Sequence, residues 1–187
     1  MIAVLIITAF FLLLTLWGIC SYNRLVTLKN DARNAWSQID VQLKRRYDLI
    51  PGLVAAVRGF MEHEKSVLQN VVEARTRAMA AERLRERASA EDALTRDLKS
   101  LFMVIENYPP LKSNENVLHL QEELVSTENR IAFARQHYND LVANFMTQRE
   151  VFPDVVIASV FSFRPAEYFS AGRDDRQLPD VSRSSPV

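Results

Sequence analysis

The sequence predicts an all-α protein in which an N-terminal transmembrane helix continues into an elongated antiparallel bundle of long helices. Three observations carry this. Residues 2–20 are apolar apart from Thr8, Thr15 and Gly18, and the run approaches the roughly 20 residues needed to cross a hydrocarbon core. Only four Gly and seven Pro occur in 187 residues, and past residue 20 the chain is rich in Ala, Leu, Glu and Arg, a composition that favours helix over turn. Apolar positions then recur at spacings of three and four, the period of a helix face.

The first element is a membrane anchor over residues 1–21. It is apolar on every face, which argues against a buried core helix, and Trp17 and Tyr22 stand near its end, where an aromatic belt forms at a membrane interface. Arg24, Lys29 and Arg33 follow the span, whereas only the α-amine precedes it. The positive-inside rule therefore puts the N-terminus outside and the bundle in the cytoplasm, as a single-pass protein of the cell membrane. The single cysteine, Cys20, excludes an internal disulfide and a Cys-based zinc site. It also stands where a lipid-bearing cysteine would, but no Lys or Arg precedes the run and Ile19 occupies the position of a small residue. An uncleaved anchor fits better.

The bundle follows over residues 22–169. Leu25, Leu28, Ala32, Trp36, Ile39, Leu43, Tyr47 and Ile50 form one stripe, and Pro51 is expected to end that helix at about 48–50 and open the next. The second helix carries Leu53, Val57, Phe60, Leu68 and Val71 to about Arg85, with a break expected near Ser89, where Ser89-Ala90-Glu91-Asp92 is a loose capping signal. A shorter third helix with Leu94, Leu98, Leu101, Phe102 and Ile105 is stopped by Pro109-Pro110. The fourth opens at Ser113 or Asn114 and places Val117, Leu124, Ile131, Tyr138, Phe145 and Phe152 seven residues apart, a coiled-coil-like stripe. Phe152-Pro153 ends it. Residues 154–169 are apolar and β-branched, which predicts a docked extended segment, and residues 170–187 mix Arg, Asp, Ser and Pro as a disordered tail does.

Charge narrows the function classes. The chain is neutral overall, with residues 21–108 at +3 and residues 109–187 at −3, a balance that gives no field for nucleic acid and excludes it as a partner. Lys44, Arg45 and Arg46 form a basic cluster about twenty residues past the span, roughly 35–40 Å along a continuous helix and beyond headgroup reach if that helix stands upright. Their expected partners are Glu122, Glu123 and Glu128 across the bundle. Gln121, Glu128 and Arg135 repeat every seven residues beside the apolar stripe, where polar side chains set register. This is a structural polar network by expectation. Two apolar residues miss the core stripes: Val41 on the first helix and Phe133 on the fourth, the latter about 160° from Val117. They suggest self-association.

No catalytic constellation emerges, and no cofactor is implied. Glu62-His63-Glu64 lacks the second histidine of a zincin, since Val67 stands in its place. His119 and His137 are five turns apart and cannot share an ion. A hydrolase built on His63 and neighbouring carboxylates is the rival enzymatic reading, and it has no nucleophile motif behind it.

Tyr22-Asn23-Arg24-Leu25-Val26, the string from Ala35 to Arg46 (AWSQIDVQLKRR), Asp48-Leu49-Ile50-Pro51, Glu106-Asn107-Tyr108-Pro109, Thr127-Glu128-Asn129-Arg130-Ile131, Tyr138-Asn139 and Phe152-Pro153 together resemble the LemA family of bacterial membrane proteins. Matches run from Tyr22 to Phe169. Departures include Gly52 in place of Asn, Phe60 in place of Tyr, and Phe145-Met146 in place of a second Tyr-Asn. The resemblance implies long antiparallel helices, membrane attachment, no established enzymatic activity, and association with membrane metallopeptidases and envelope organisation. The functional reading of the chain as a whole is a membrane-anchored scaffold or adaptor that contacts the lipid bilayer, forms homo-oligomers and organises envelope proteins. The alternative is a substrate-presenting partner of a membrane metallopeptidase.

Overall fold

A computed structural model describes residues 1–170. Among the described residues the protein is all-α and contains no strand: α1 (Ile2–Arg58), α2 (Lys65–Ala80), α3 (Leu84–Ile105), α4 (Pro109–Lys112), α5 (Glu115–Glu150) and α6 (Asp154–Val160). The tail expected to be disordered lies, after Ser170, outside the described residues.

α1 runs without a break from the apolar run into the bundle. Among the described residues it is the helix long and apolar enough to cross a membrane, and no residue of its apolar window is buried. The two threonines of the run satisfy their hydroxyls within the helix, Thr8 on the Val4 and Leu5 carbonyls and Thr15 on the Phe11 carbonyl, as an apolar surrounding requires.

Pro51 does not end this helix, contrary to the sequence expectation. A proline in a helix interior leaves the carbonyl four residues earlier without its N–H partner. That carbonyl belongs to Tyr47, and Arg75 Nε donates to it at 2.7 Å. A side chain from α2 thus replaces the missing donor, while Leu53, Val54 and Val57 stay in the core. The helix stops instead at Arg58, and a turn over residues 59–64 leads to α2.

The next break also moves. It falls at Ala81, whose backbone is extended, and α3 runs for 22 residues through Ser89. Ser89 is exposed, and a serine that faces water inside a helix is tolerated at little cost. Ala88 and Glu91 are buried on the face that continues with Leu94, Leu98, Leu101 and Ile105. Asn114 caps α5, its side-chain oxygen accepting the Val117 N–H at 3.2 Å. Five of the six heptad residues of that helix are core, and Phe152 lies beyond its end and is 79% exposed.

Residues 154–160 form a short helix rather than the extended segment expected. Asp154 in its first turn suits the positive end of a helix. Ser162 then adopts φ 54°, Phe163 N–H donates to the Ala158 carbonyl at 2.9 Å and Ser162 N–H to the Ser159 carbonyl at 3.1 Å. This is a Schellman closure with a serine where glycine is usual.

The chain divides into two compact units that share α1 and α5. One comprises Met1–Leu43 and Asn129–Tyr168; the other comprises Lys44–Glu128 with Phe169. In the first, Leu25, Phe145 and Ala158 form a buried cluster against which Leu28, Met146, Ile157, Phe163 and Ala166 pack, and Trp36 meets Tyr138 edge-on at 5.5 Å. In the second, the core consists of buried aliphatic residues of α1, α2, α3, α4 and α5, among them Ile50, Leu53, Val71, Leu94, Leu111 and Leu124.

Candidate functional site

Two features of the bundle stand out, one in each unit. In the second unit α1 carries Arg46, which is 0% exposed and heads the fully buried side chains by volume. Its guanidinium pairs with Glu91 of α3, itself 0% exposed, and with Glu128 of α5. Thr95 links them: its hydroxyl accepts from Arg46 at 3.0 Å and donates to Glu128 at 3.1 Å. The Tyr47 hydroxyl donates to Glu91. Burying a guanidinium costs several kcal/mol unless charges and hydrogen bonds surround it, and here two carboxylates and a hydroxyl do so.

The other charged residues of the expected network divide. Arg45 pairs with Glu123 across α1 and α5 with both side chains partly in water, 47% and 31% exposed, a position where a pair contributes at most about 1 kcal/mol. Lys44 and Glu122 are exposed. Arg135 is half-buried on α5 in the first unit. Glu91 and Thr95 escaped sequence reading. The available signal was register, because Glu91 occupies the same face as Leu94, Leu98 and Leu101, where a carboxylate demands a buried cation.

The first unit holds the second feature. Gln38, Val41 and Gln42 of α1 and Arg130, Phe133, Ala134 and His137 of α5 line one open groove of about 560 Å³. Val41 is 64% exposed and Phe133 73%. The two apolar residues that miss the core stripes are therefore on one surface, with Gln38, Gln42, Arg130 and His137 beside them. The groove thus brings two exposed apolar side chains together with polar and charged neighbours.

His63 lies exposed in the turn between α1 and α2, and His119 and His137 are exposed on α5. Among the described residues no group of three or more His, Cys, Asp or Glu is arranged to hold a metal ion. Two further polar contacts of the first unit were not anticipated. Ser21 donates to Asp154 at 2.6 Å, with Asp154 also accepting from Gln148. Tyr138 donates its hydroxyl to the Glu167 carbonyl at 2.8 Å, and burial, with the Glu167 carboxylate adding to it, raises the Tyr138 pKa above its ordinary value.

Comparison with known proteins adds the following. A family model described as LemA family matches residues 35–182. Two magnetosome proteins of Paramagnetospirillum magneticum, MamQ 1 and MamQ 2, are each 26% identical over 174 residues. The magnetosome protein MamQ of Magnetospirillum gryphiswaldense is 24% identical over the same length. Each alignment covers 79% of this chain, which spans 64% of the length of these curated relatives.

Proposed function

The chain belongs to the LemA family and is a membrane-associated, single-pass helical protein, and from that premise we propose that it is a scaffold that self-associates laterally and organises envelope proteins, with no catalysis of its own. The observation that carries this is the convergence of Val41 and Phe133 on one groove. A large aromatic that is nearly three-quarters exposed and lines one groove with an exposed aliphatic leaves apolar area in water, and covering it would gain about 25 cal/mol per Å². Copies held in one bilayer need only weak contacts to assemble, since tethering raises their effective concentration.

Phe133→Glu and Val41→Glu in the full chain, extracted in mild detergent, test this by mass. Wild type is expected to run as an oligomer and each variant as a smaller species with unchanged helicity. A monomeric wild type, or an oligomer indifferent to both changes, rejects the groove. Mass measurement of proteins that remain bound tests the alternative function at the same time. A membrane metallopeptidase held in fixed ratio would make the chain a substrate-presenting partner instead. For orientation, Arg24, Lys29 and Arg33 past the span support a cytoplasmic bundle; labelling of a cysteine introduced at Ser37 by an impermeant reagent, in intact cells, would reverse that orientation.

A further inference from the structure

Residues 151–161 carry an apolar surface that no core position explains. Phe152 is 79% exposed, Val160 70%, Phe161 56%, Val156 50% and Val151 48%. Within this stretch the lone ionisable side chain is Asp154, and it is turned inward, buried, and held by Ser21 and Gln148. What the segment shows to its surroundings is thus uncharged.

Its location assigns the occupant. The Ile157 Cδ1 stands 3.8 Å from where a Cβ of Gly18 would be, the Ser21 hydroxyl reaches Asp154 at 2.6 Å, and the Tyr22 ring lies 4.8 Å from that of Phe161. Gly18 belongs to the last turn of the apolar run of α1, and Ser21 and Tyr22 are the two residues after it. The exposed patch therefore meets the end of the apolar run through Phe161, and its helix rests on that run through Asp154 and Ile157. Aromatic and aliphatic side chains beside the end of a span partition into the headgroup and upper acyl region. An uncharged turn with its single carboxylate hidden inside suits that layer, where an exposed carboxylate would be opposed.

We propose that residues 151–161, the turn that follows α5 together with α6 and Phe161, form a second membrane contact that lies in the lipid interface beside the exit point of α1. The lipid surface is the partner, and the patch adds interfacial area to a chain otherwise held by one helix.

The test uses the full chain in vesicles of phosphatidylcholine and phosphatidylglycerol, with Cys20→Ser as background. An environment-sensitive fluorophore is attached through Phe152→Cys or Val160→Cys and challenged with nitroxide lipids labelled high on the acyl chain and with aqueous iodide. The expected result is loss of about half the emission or more to the nitroxide and little to iodide at both sites. Ser37→Cys, on an exposed position of the same unit, should show the reverse. Quenching by iodide at 152 and 160 matching that at 37 overturns the proposal. So does protection that disappears when protein is diluted tenfold in lipid, because a second copy would then be the occupant. Leu12→Cys separates the two membrane claims: nitroxide quenching there but not at 152 or 160 removes the second contact alone, and failure at all three sites removes the spanning helix as well.

Discussion

Arg46 is the buried cation of the second unit, paired with Glu91 and Glu128. Arg46→Met leaves Glu91 fully buried without a cation and takes away the partner of Glu128, which is partly in water, and removal of one member of a buried ionic group costs about 3–5 kcal/mol. Urea denaturation should register that loss. Replacing all three charges together, with Glu91→Leu and Glu128→Leu added, should recover most of it, since apolar substitutes of similar volume often match a buried ionic cluster. If the triple variant is no more stable than the single, the three residues are not one energetic unit. Arg75 is a second such position: Arg75→Met withdraws the donor that satisfies the Tyr47 carbonyl opposite Pro51 and should cost about 1.5–3 kcal/mol, with the helix at Pro51 becoming the first site of amide exchange. Ser162→Gly should act in the opposite direction. It relieves a side chain from φ 54°, a conformation that costs an ordinary residue about 1 kcal/mol, and thermal unfolding should move up. Tyr138 gives a pH dependence. Its folded-state pKa is raised, so the native state keeps a proton that the unfolded chain releases. Its stabilising contribution is intact below the unfolded value of about 10 and is lost as pH climbs through the raised folded one. Tyr138→Phe should flatten stability against pH in that alkaline range.

At the level of elements, local rules and tertiary contacts competed, and the outcome at each position has a physical cause. The heptad residues Val117, Leu124, Ile131, Tyr138 and Phe145 are all core, because a seven-residue apolar period has few other solutions than burial along one seam. The N-cap at Asn114 was legible for the same reason of locality. Pro51 was misleading: the rule that proline ends a helix assumes an orphaned carbonyl, and the donor that rescues it comes from another helix. Ser89 misled similarly, since a capping signal has no effect where the helix on both sides already buries Ala88, Glu91 and Leu94. The candidate surfaces split along the same line. Val41 and Phe133 were legible as outward-facing by angle alone, whereas the burial of Glu91 and Asp154 requires partners far away in the chain. The short helix α6 was hidden by its β-branched composition, which reads as extended until the Schellman closure at Ser162 and the contact of Ile157 with Gly18 are known.

For the whole molecule the anchor and the bundle make separable contributions. A chain without residues 1–20 should remain helical by circular dichroism, because the buried residues of both units lie beyond that stretch. It should also lose assembly at concentrations where the anchored protein is oligomeric, since the tether and not the groove supplies the effective concentration. An unfolded fragment would make the anchor part of the fold. A fragment that assembles as readily as the full chain would show that the groove binds strongly without help.

The unbroken course of α1 from the span to Val41 has a geometrical consequence. A helix with no joint is stiff in torsion as well as in bending, so each residue sets the azimuth of the next by about 100°. The direction in which the Val41 side of the groove faces is thereby coupled to the direction in which Gly18 and Ser21 face, where α6 rests. If copies associate as proposed, two of them in one membrane would meet with their grooves at the same height, and neither could swivel its groove without turning its whole span. Encounter is reduced to a single variable, rotation in the plane of the bilayer, and α6 lying in the interface would add drag to that rotation.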